Sequence, residues 1–272
     1  MSVNLQDLHN IILMIAKDFD EFCIAHNIEY YMMGGTALGA IRHQGFIPWD
    51  DDFDVFMDRK NYKKYLHVAK HFLDKKKYYL QLEDTKEWPL FFSKLRLNDT
   101  LYIEKEDISR DIHKGIFIDI MCLNNTFSNK YLRYTQYFCA RILSATALAK
   151  RGYNTKSKRK KLALILSYIT RFYPIKLLLL GVVRGLNCCK TKYIAHFFGR
   201  APFNNTSFER AYLSPARRVK FNNLELPVPK NVESYLTTRF GTKYMDMPSK
   251  KIKDKYPMHA LEVQLGSWKA NK

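Results

Sequence analysis

A strand, two glycines, a short helix and a run of aspartates follow one another in the first quarter of the chain. The run IEYYMM at 28–33 is rich in strand-favouring residues and ends at Gly34 and Gly35, which predicts a strand followed by a turn. A helical pattern covers 36–42, and residues 52–56 alternate acidic and apolar side chains, as a second strand would. The order places a tight backbone turn close to a group of carboxylates.

The rest of the first half alternates in the same way. Apolar residues recur at helical spacing over 4–26, and a second helix is predicted over 60–77. The segments LFFSKLRLNDTLYIE at 90–104 and GIFIDIM at 115–121 are predicted to be strands. Alternating helices and strands favour a sheet domain of the α/β or α+β class.

The second half has a different pattern. Residues 128–200 are helical in spacing and very basic, with the charge run KRGYNTKSKRKK at 150–161. A hairpin is predicted over 217–228, with two asparagines at its turn. A helix near 230–240 follows.

The aspartates are the strongest chemical signal. Side chains alternate between the two faces of a strand, so Asp52 and Asp54 are expected on one face and Asp51 on the other. Asp50 joins the first face if the strand begins early. Two carboxylates held this close repel each other unless a cation lies between them, and hard oxygen ligands suit Mg²⁺ or Mn²⁺. A solvated acidic turn is the alternative for this motif taken alone.

The residues before the aspartates fit a phosphate. Gly34 and Gly35 allow the backbone to approach a phosphate closely, and Thr36 is predicted to cap the following helix, whose first amides can bind an anion. Arg42 and His43 lie between the glycines and the acids and are further candidates for substrate contact. For the glycines a simple turn is the alternative, and for a lone histidine it is a structural position.

Two more segments add charged candidates. Asp119 stands among apolar residues in GIFIDIM, where a buried carboxylate needs a partner. It is predicted either to complete the metal site or to take the proton of an acceptor hydroxyl, and a lysine salt bridge is the alternative. Lys94 and Arg96 share one strand face and are expected to offset phosphate charge, unless that face is solvated.

These residues resemble one family. The segment GGTALGAIRHQGFIPWDDDFDV at 34–55 is similar to the signature of the LicD family, within the nucleotidyltransferase-fold superfamily. The resemblance continues in SKLRLNDT at 93–100 and GIFIDIM at 115–121, and returns in FNNLELPVPKNVESYLTTRFGTKYMDMP at 221–248. Family members often carry a basic residue and paired histidines near the C-terminus, where this chain has His259 alone.

The resemblance implies a fold. It is an α+β fold with a nucleotidyltransferase-like mixed β-sheet flanked by helices. We therefore expect a catalytic core at 1–127, a basic helical insertion at 128–200, and a C-terminal segment at 201–272 that packs back on the core.

The resemblance also implies an activity. It is Mg²⁺- or Mn²⁺-dependent transfer of phosphocholine, or a related phospho-alcohol or phospho-sugar, from a CDP-linked donor such as CDP-choline to a hydroxyl of a cell-surface glycan. Lipopolysaccharide, capsule and teichoic acid are the acceptor classes, free or lipid-linked. The catalytic and metal-binding acids of the family map onto Asp52, Asp54 and Asp119, with Asp50 as an additional ligand, and its glycines onto Gly34 and Gly35.

Charge leaves other partners open. The chain has 45 Lys plus Arg against 26 Asp plus Glu, a net charge of +19, which favours a polyanion. A nucleotidyltransferase acting on RNA or protein, or a basic nucleic-acid-binding module, is the alternative function, although no RNA-binding motif is present. Residues 162–186 are apolar but interrupted by charges and a proline, which fits a helix lying at an anionic membrane surface or a buried helical hairpin.

The expected location is the cytoplasm, with peripheral contact at the inner face of the cytoplasmic membrane. The first residues do not have the pattern of a secretion signal. Five cysteines without a CxxC pair predict free thiols in a reducing compartment.

Overall fold

The computed structural model describes residues 4–152, 168, 172–249 and 259–268, and these confirm an α+β fold. The described helices are α1 (Leu5–Ala25), α2 (Gly34–His43), α3 (Arg59–Phe72), α4 (Lys130–Lys150), α5 (Tyr173–Arg184) and α6 (Val232–Phe240). The described strands are β1 (Tyr31–Met32), β2 (Asp54–Asp58), β3 (Tyr78–Gln81), β4 (Ser93–Leu97), β5 (Leu101–Glu104), β6 (Phe117–Thr126), β7 (Tyr193–Ala195), β8 (Ser207–Glu209), β9 (Arg217–Phe221), β10 (Leu224–Val228) and β11 (Ala260–Gln264).

The main sheet is mixed. Its described strands follow the order β1-β2-β6-β4-β3, and β7 and β8 extend it from the second half of β6. β2 and β6 run parallel, and the other neighbouring pairs of this sheet are antiparallel. Two separate two-stranded sheets are formed by β9 with β10 and by β5 with β11.

The main core lies between the sheet and α1. The buried side chains of α1 include Leu8, Ile12, Ile15 and Phe19, which recur at the three- and four-residue spacing of one helix face. Asn4 caps α1 by accepting a hydrogen bond from an amide of the first turn, as a short polar side chain does at this position. The helix predicted over 4–26 is confirmed.

The glycine region differs from the prediction. Gly34 and Gly35 form the first turn of α2, and Met33 is the N-cap residue. The strand predicted over 28–33 is reduced to Tyr31–Met32. Thr36 is therefore not the cap, because the positive φ of Gly34, +62°, lets the helix begin two residues earlier.

A turn interrupts the strand predicted over 90–104. β4 ends at Leu97 and β5 begins at Leu101, with Asp99 between them in the left-handed region at φ 58°. Aspartate tolerates this conformation better than most residues, so a turn divides the predicted strand into two strands that belong to different sheets. The predicted strand at 115–121 instead starts at Phe117 and continues to Thr126.

The segment 128–200 is only partly helical. α4 and α5 pack together around a second core that includes Cys139, Leu143 and Val183. The helical prediction is wrong at the end of the segment, because Tyr193–Ala195 is a strand that pairs with β6. Of the charge run, 153–161 lies outside the described residues, as do 162–167 and 169–171 of the apolar segment.

The C-terminal segment follows the prediction closely. β9 and β10 form the expected hairpin with Asn222 and Asn223 at its turn, and Asn222 has φ 54°. The helix expected near 230–240 is Val232–Phe240. β10 lies beside β1, and α6 packs on α2.

Candidate active site

Three charged residues form a row across the middle of the sheet. Asp54 of β2 is the register partner of Asp119 of β6, and Asp119 is the partner of Lys94 of β4. Residues in register on neighbouring strands project to the same face. The Nζ atom of Lys94 lies 2.9 Å from Oδ1 of Asp119 and 3.9 Å from Oε1 of Glu104.

The three charged groups of this row are buried, and burial shifts their pKa values toward the neutral forms. Burial, together with the charges of Asp119 and Asp50, raises the pKa of Asp54 to about 8. Burial raises the pKa of Asp119 and lowers that of Lys94 although the two are paired. Desolvation therefore outweighs the ion pair, as is usual for charges removed from water.

The other acids join the same cluster. Asp52 precedes β2, and burial followed by the charges of Asp54, Asp50 and Asp119 raises its pKa well above the usual range. Burial, followed by the charge of Asp51, raises the pKa of Asp50 to about 6. Because the charges of Asp54, Asp50 and Asp119 all act on Asp52, these four acids lie close to one another.

Asp51 has hydrogen-bond partners of its own, outside the row Asp54–Asp119–Lys94. Its carboxylate is 2% exposed and accepts hydrogen bonds from the Tyr102 hydroxyl at 2.6 Å and from the backbone N–H of His259 at 2.7 Å. It also accepts from Ala260 N–H at 3.2 Å and lies 2.9 Å from Nδ1 of His259. Asp51 thus holds β11 against the core.

The glycines at the start of α2 touch the acids. A methyl group at Gly34 would lie 3.1 Å from Oδ2 of Asp54, and one at Gly35 would lie 2.9 Å from Oδ2 of Asp50. Both distances are shorter than ordinary contacts, so a side chain at either position would press on a carboxylate and displace it. Thr36 accepts a hydrogen bond from the backbone N–H of Asp54 at 2.8 Å and so fixes the start of β2.

Helix α6 supplies two residues that the sequence did not identify. The Gly34 N–H donates to the Tyr235 hydroxyl at 2.9 Å, and Tyr235 is 4% exposed. Arg239 follows one helical turn later, on the same face, and its charge lowers the pKa of Asp54 against the other effects. The only available signal was their four-residue spacing in the final segment of family resemblance.

Lys94 and Arg96 share a face as expected, but that face is not solvated. Lys94 is 2% exposed and Arg96 is 1% exposed. The guanidinium of Arg96 donates to Oε1 of Gln81 at 2.9 Å and to the carbonyl of Gly115 at 2.8 Å. Its hydrogen bonds are thus to the protein itself, whereas Lys94 belongs to the charged row.

Arg42 and His43 are not brought to the charged row. They lie in the last turn of α2, about 12 Å along the helix axis from Gly34. The guanidinium of Arg42 donates to the carbonyls of Tyr244 and Asp246. Their substrate contacts remain a prediction.

The cluster fits a divalent cation in part. Within the described ranges, no three His, Cys, Asp or Glu side chains converge as a finished metal cage. Mg²⁺ does not need one, because it is commonly held by one or two carboxylates together with substrate phosphates and water. Asp52 and Asp54 provide that minimum donor set, and their raised pKa values reflect negative charge that lacks compensation.

Comparison with known families agrees with this geometry. The model for the LicD/FKTN/FKRP nucleotidyltransferase domain matches residues 27–143, a range that contains both glycines, the four clustered acids and Lys94. Residues 27–143 form a domain of the LicD family. The expectation drawn from the sequence motifs is confirmed.

Individual relatives match this chain over short stretches. The lipopolysaccharide cholinephosphotransferase LicD of Haemophilus influenzae is 44% identical over 66 residues, which are 24% of this chain and 25% of that protein. Uncharacterized proteins of Rickettsia prowazekii and Rickettsia typhi are each 51% identical over 41 residues, 15% of this chain and 15% and 13% of theirs. The matches thus span a quarter or less of these relatives.

Proposed function

We propose that this LicD-family protein is a divalent-metal-dependent phosphotransferase. It transfers phosphocholine, or a related phospho-alcohol or phospho-sugar, from a CDP-linked donor to a hydroxyl of a cell-surface glycan, and CMP leaves. The observation that carries this proposal is the row Asp54–Asp119–Lys94 beside the glycine start of α2. The name of the Haemophilus influenzae relative, a lipopolysaccharide cholinephosphotransferase, supports phosphocholine and lipopolysaccharide as the first pair to test.

The metal ligands in this proposal are Asp52 and Asp54, with Asp119 and Asp50 as further ligands. A bound Mg²⁺ or Mn²⁺ would offset the charge of the donor diphosphate as its bond to the leaving group breaks. Because the acids already repel one another, binding of a cation is expected to lower their pKa values. Metal binding and donor binding are therefore expected to strengthen each other.

The chain itself positions the donor. The backbone at Gly34 and Gly35 leaves space for phosphate beside the acids, and Thr36 holds the backbone of Asp54. Lys94 balances Asp119 within the row, and Arg239 adds a positive charge near Asp54. These groups hold and orient the diphosphate, which is the main task in phosphoryl transfer.

The test is a donor screen read by CMP release. Purified protein is incubated with Mg²⁺ or Mn²⁺, lipopolysaccharide and each of several CDP-alcohols and CDP-sugars. Asp52→Asn and Asp54→Asn are expected to abolish transfer without unfolding the protein, while Asp18→Asn, which changes a partly exposed acid paired with Lys77, is expected to keep it. Near-normal turnover in either site variant would refute the assignment of these acids.

A parallel assay distinguishes this reaction from nucleotide transfer to RNA or protein. Incubation with nucleoside triphosphates and RNA or protein would release pyrophosphate if the chain were a nucleotidyltransferase of that kind. Release of pyrophosphate there, with no CMP from any CDP donor, would replace the proposed reaction.

We also propose peripheral contact with an anionic membrane at the cytoplasmic side, where a lipid-linked glycan is presented. In the part of the chain that the structure describes, no helix meets the length and hydropathy needed to cross a bilayer. Large apolar side chains are nevertheless exposed on α4 and α5, including Tyr131 at 84%, Phe138 at 50%, Tyr173 at 63% and Leu178 at 68%. Together with the +19 charge, they suit an anionic interface.

Flotation with liposomes tests the membrane contact. Wild-type protein is expected to float with anionic vesicles at low salt, to bind zwitterionic vesicles less, and to lose binding as salt rises. Tyr131→Ser with Phe138→Ser should weaken flotation, and Ile24→Ser, at an exposed site on α1, is the matched control. Absence of binding to anionic vesicles at low salt removes this proposal.

A further inference from the structure

The Asp51–His259 contact has the form of a carboxylate–imidazole pair. Oδ1 of Asp51 lies 2.9 Å from Nδ1 of His259, while Oδ2 accepts the backbone N–H of the same residue. A carboxylate only accepts hydrogen bonds, so Nδ1 carries the proton. In the neutral ring the lone pair then lies on Nε2. No described residue hydrogen-bonds Nε2, and the His259 side chain is 35% exposed.

Several contacts fix the orientation of this ring. The Tyr102 hydroxyl also donates to Oδ2 of Asp51, at 2.6 Å. Directly after His259, Ala260 is the register partner of Glu104 in the β5–β11 sheet. The imidazole is thus bound at one nitrogen and anchored by its own backbone, and its other nitrogen faces away from the carboxylate.

The ring lies near enough to Asp50 for its charge to act on that carboxylate. Its partner Asp51 stands between Asp50 and Asp52 in the chain. The charged groups that act on the ring are Asp51, Glu104 and Arg200. The Glu104 carboxylate, whose charge acts on the ring, also lies 3.9 Å from the Lys94 ammonium.

Asp119 is less suited to accept a proton from the acceptor. Its Oδ1 atom is paired with the Lys94 ammonium at 2.9 Å, and the residue is 8% exposed. The ring of His259 is partly exposed, and its Nε2 has no hydrogen-bond partner among the described residues. The two candidates therefore differ in whether an acceptor hydroxyl can reach them.

Building on the transfer reaction proposed above, we propose that Nε2 of His259, oriented by Asp51, takes the proton of the acceptor hydroxyl. The O–H bond breaks, its proton moves to Nε2, and the oxygen forms a bond to the donor phosphorus. The bond from phosphorus to the CMP oxygen breaks, and CMP leaves with that electron pair. Asp51 stabilises the imidazolium until its proton passes to water.

A conservative variant of His259 distinguishes a catalytic base from a residue that only anchors the backbone. The amide nitrogen of asparagine can replace Nδ1, so His259→Asn keeps the hydrogen bond to Asp51 and removes Nε2. We expect kcat for transfer to fall by about 100-fold or more, with unchanged binding of the CDP donor and unchanged thermal unfolding. Added imidazole should restore part of the rate. His67→Asn, at an exposed site on α3, is the matched control and should transfer normally.

A second variant and a spectroscopic measurement make the test independent of one substitution. Asp51→Asn can present its amide N–H to Nδ1 and so move the ring proton to Nε2, which should lower kcat although His259 is present. Nitrogen-15 NMR of the free wild-type protein should show the neutral His259 ring protonated at Nδ1. A ring protonated at Nε2 overturns the proposal.

The outcomes distinguish this inference from the proposed function. Wild-type transfer beside an equally active His259→Asn variant, within about threefold, overturns the role of His259 and leaves the transfer reaction intact. If wild-type protein releases no CMP from any CDP donor with any glycan, the transfer reaction fails and the role of His259 fails with it.

Discussion

Removal of the Asp51 carboxylate should detach strand β11. Asp51→Ala leaves the Tyr102 hydroxyl, the His259 and Ala260 N–H groups and Nδ1 of His259 without their shared acceptor. Loss of one partner from a buried, hydrogen-bonded charged group costs about 3–5 kcal/mol. Because β11 pairs with β5 alone among the described strands, we expect the cost to fall on the local opening of this small sheet.

Hydrogen exchange measures that opening. With about 1.4 kcal/mol per factor of ten, amide protection of β11 should fall by about two to four powers of ten, or to the unprotected limit if that is reached first. The control is Asp18→Ala, whose carboxylate side chain is 30% exposed and bound to Lys77 and Tyr78. It should cost about 1 kcal/mol or less. Protection of β11 within about threefold of wild type in Asp51→Ala would refute the anchoring role.

Three further predictions concern the site and its surroundings. Gly34→Ala should impair transfer more than stability, since the strained backbone costs about 1–2 kcal/mol and the added methyl group would press on the Asp54 carboxylate. The control is Gly181→Ala, at a helical site with open space around it, which should remain active. Transfer kinetics and urea unfolding of the two variants test this prediction. Arg239→Gln should raise the KM for the CDP donor about tenfold, consistent with a lost charged hydrogen bond, and an unchanged KM would contradict its donor contact. Burial, aided by the charge of Arg239, lowers the pKa of His196 to about 3, so below about pH 6.5 the unfolded chain binds a proton that the folded chain does not. The free energy of unfolding should therefore fall as pH drops from about 6.5 toward 3, by up to about 1.4 kcal/mol per pH unit relative to His196→Phe. The same pH dependence of urea unfolding in the two proteins would contradict this prediction.

The sequence was informative where local patterns determine structure. The apolar spacing of α1 and the asparagine turn of the β9–β10 hairpin depend on neighbouring residues, and both predictions hold. Alternation also separated Asp51 from Asp52 and Asp54, because side-chain direction in an extended chain follows from the backbone alone.

The sequence was less informative where contacts between distant segments determine the structure. Thr36 resembles a helix cap, but its hydroxyl instead accepts from Asp54, 18 residues away. Residues 193–195 form a strand because β6 offers an edge for them, a pairing that no short window contains. The contribution of Tyr235 and the orientation of His259 come from contacts across about 200 residues, so their sequence neighbourhoods carried no specific signal.

The Asp51–His259 contact joins residues 208 positions apart. Contacts of such long sequence separation generally form late in folding, since a long loop must close before they are gained. The acids can collect early through the neighbouring strands β2 and β6, whereas the histidine arrives only after the intervening chain has packed. Partly folded chains would therefore hold the proposed metal ligands without the proposed base, and we expect them to bind a nucleotide donor without consuming it.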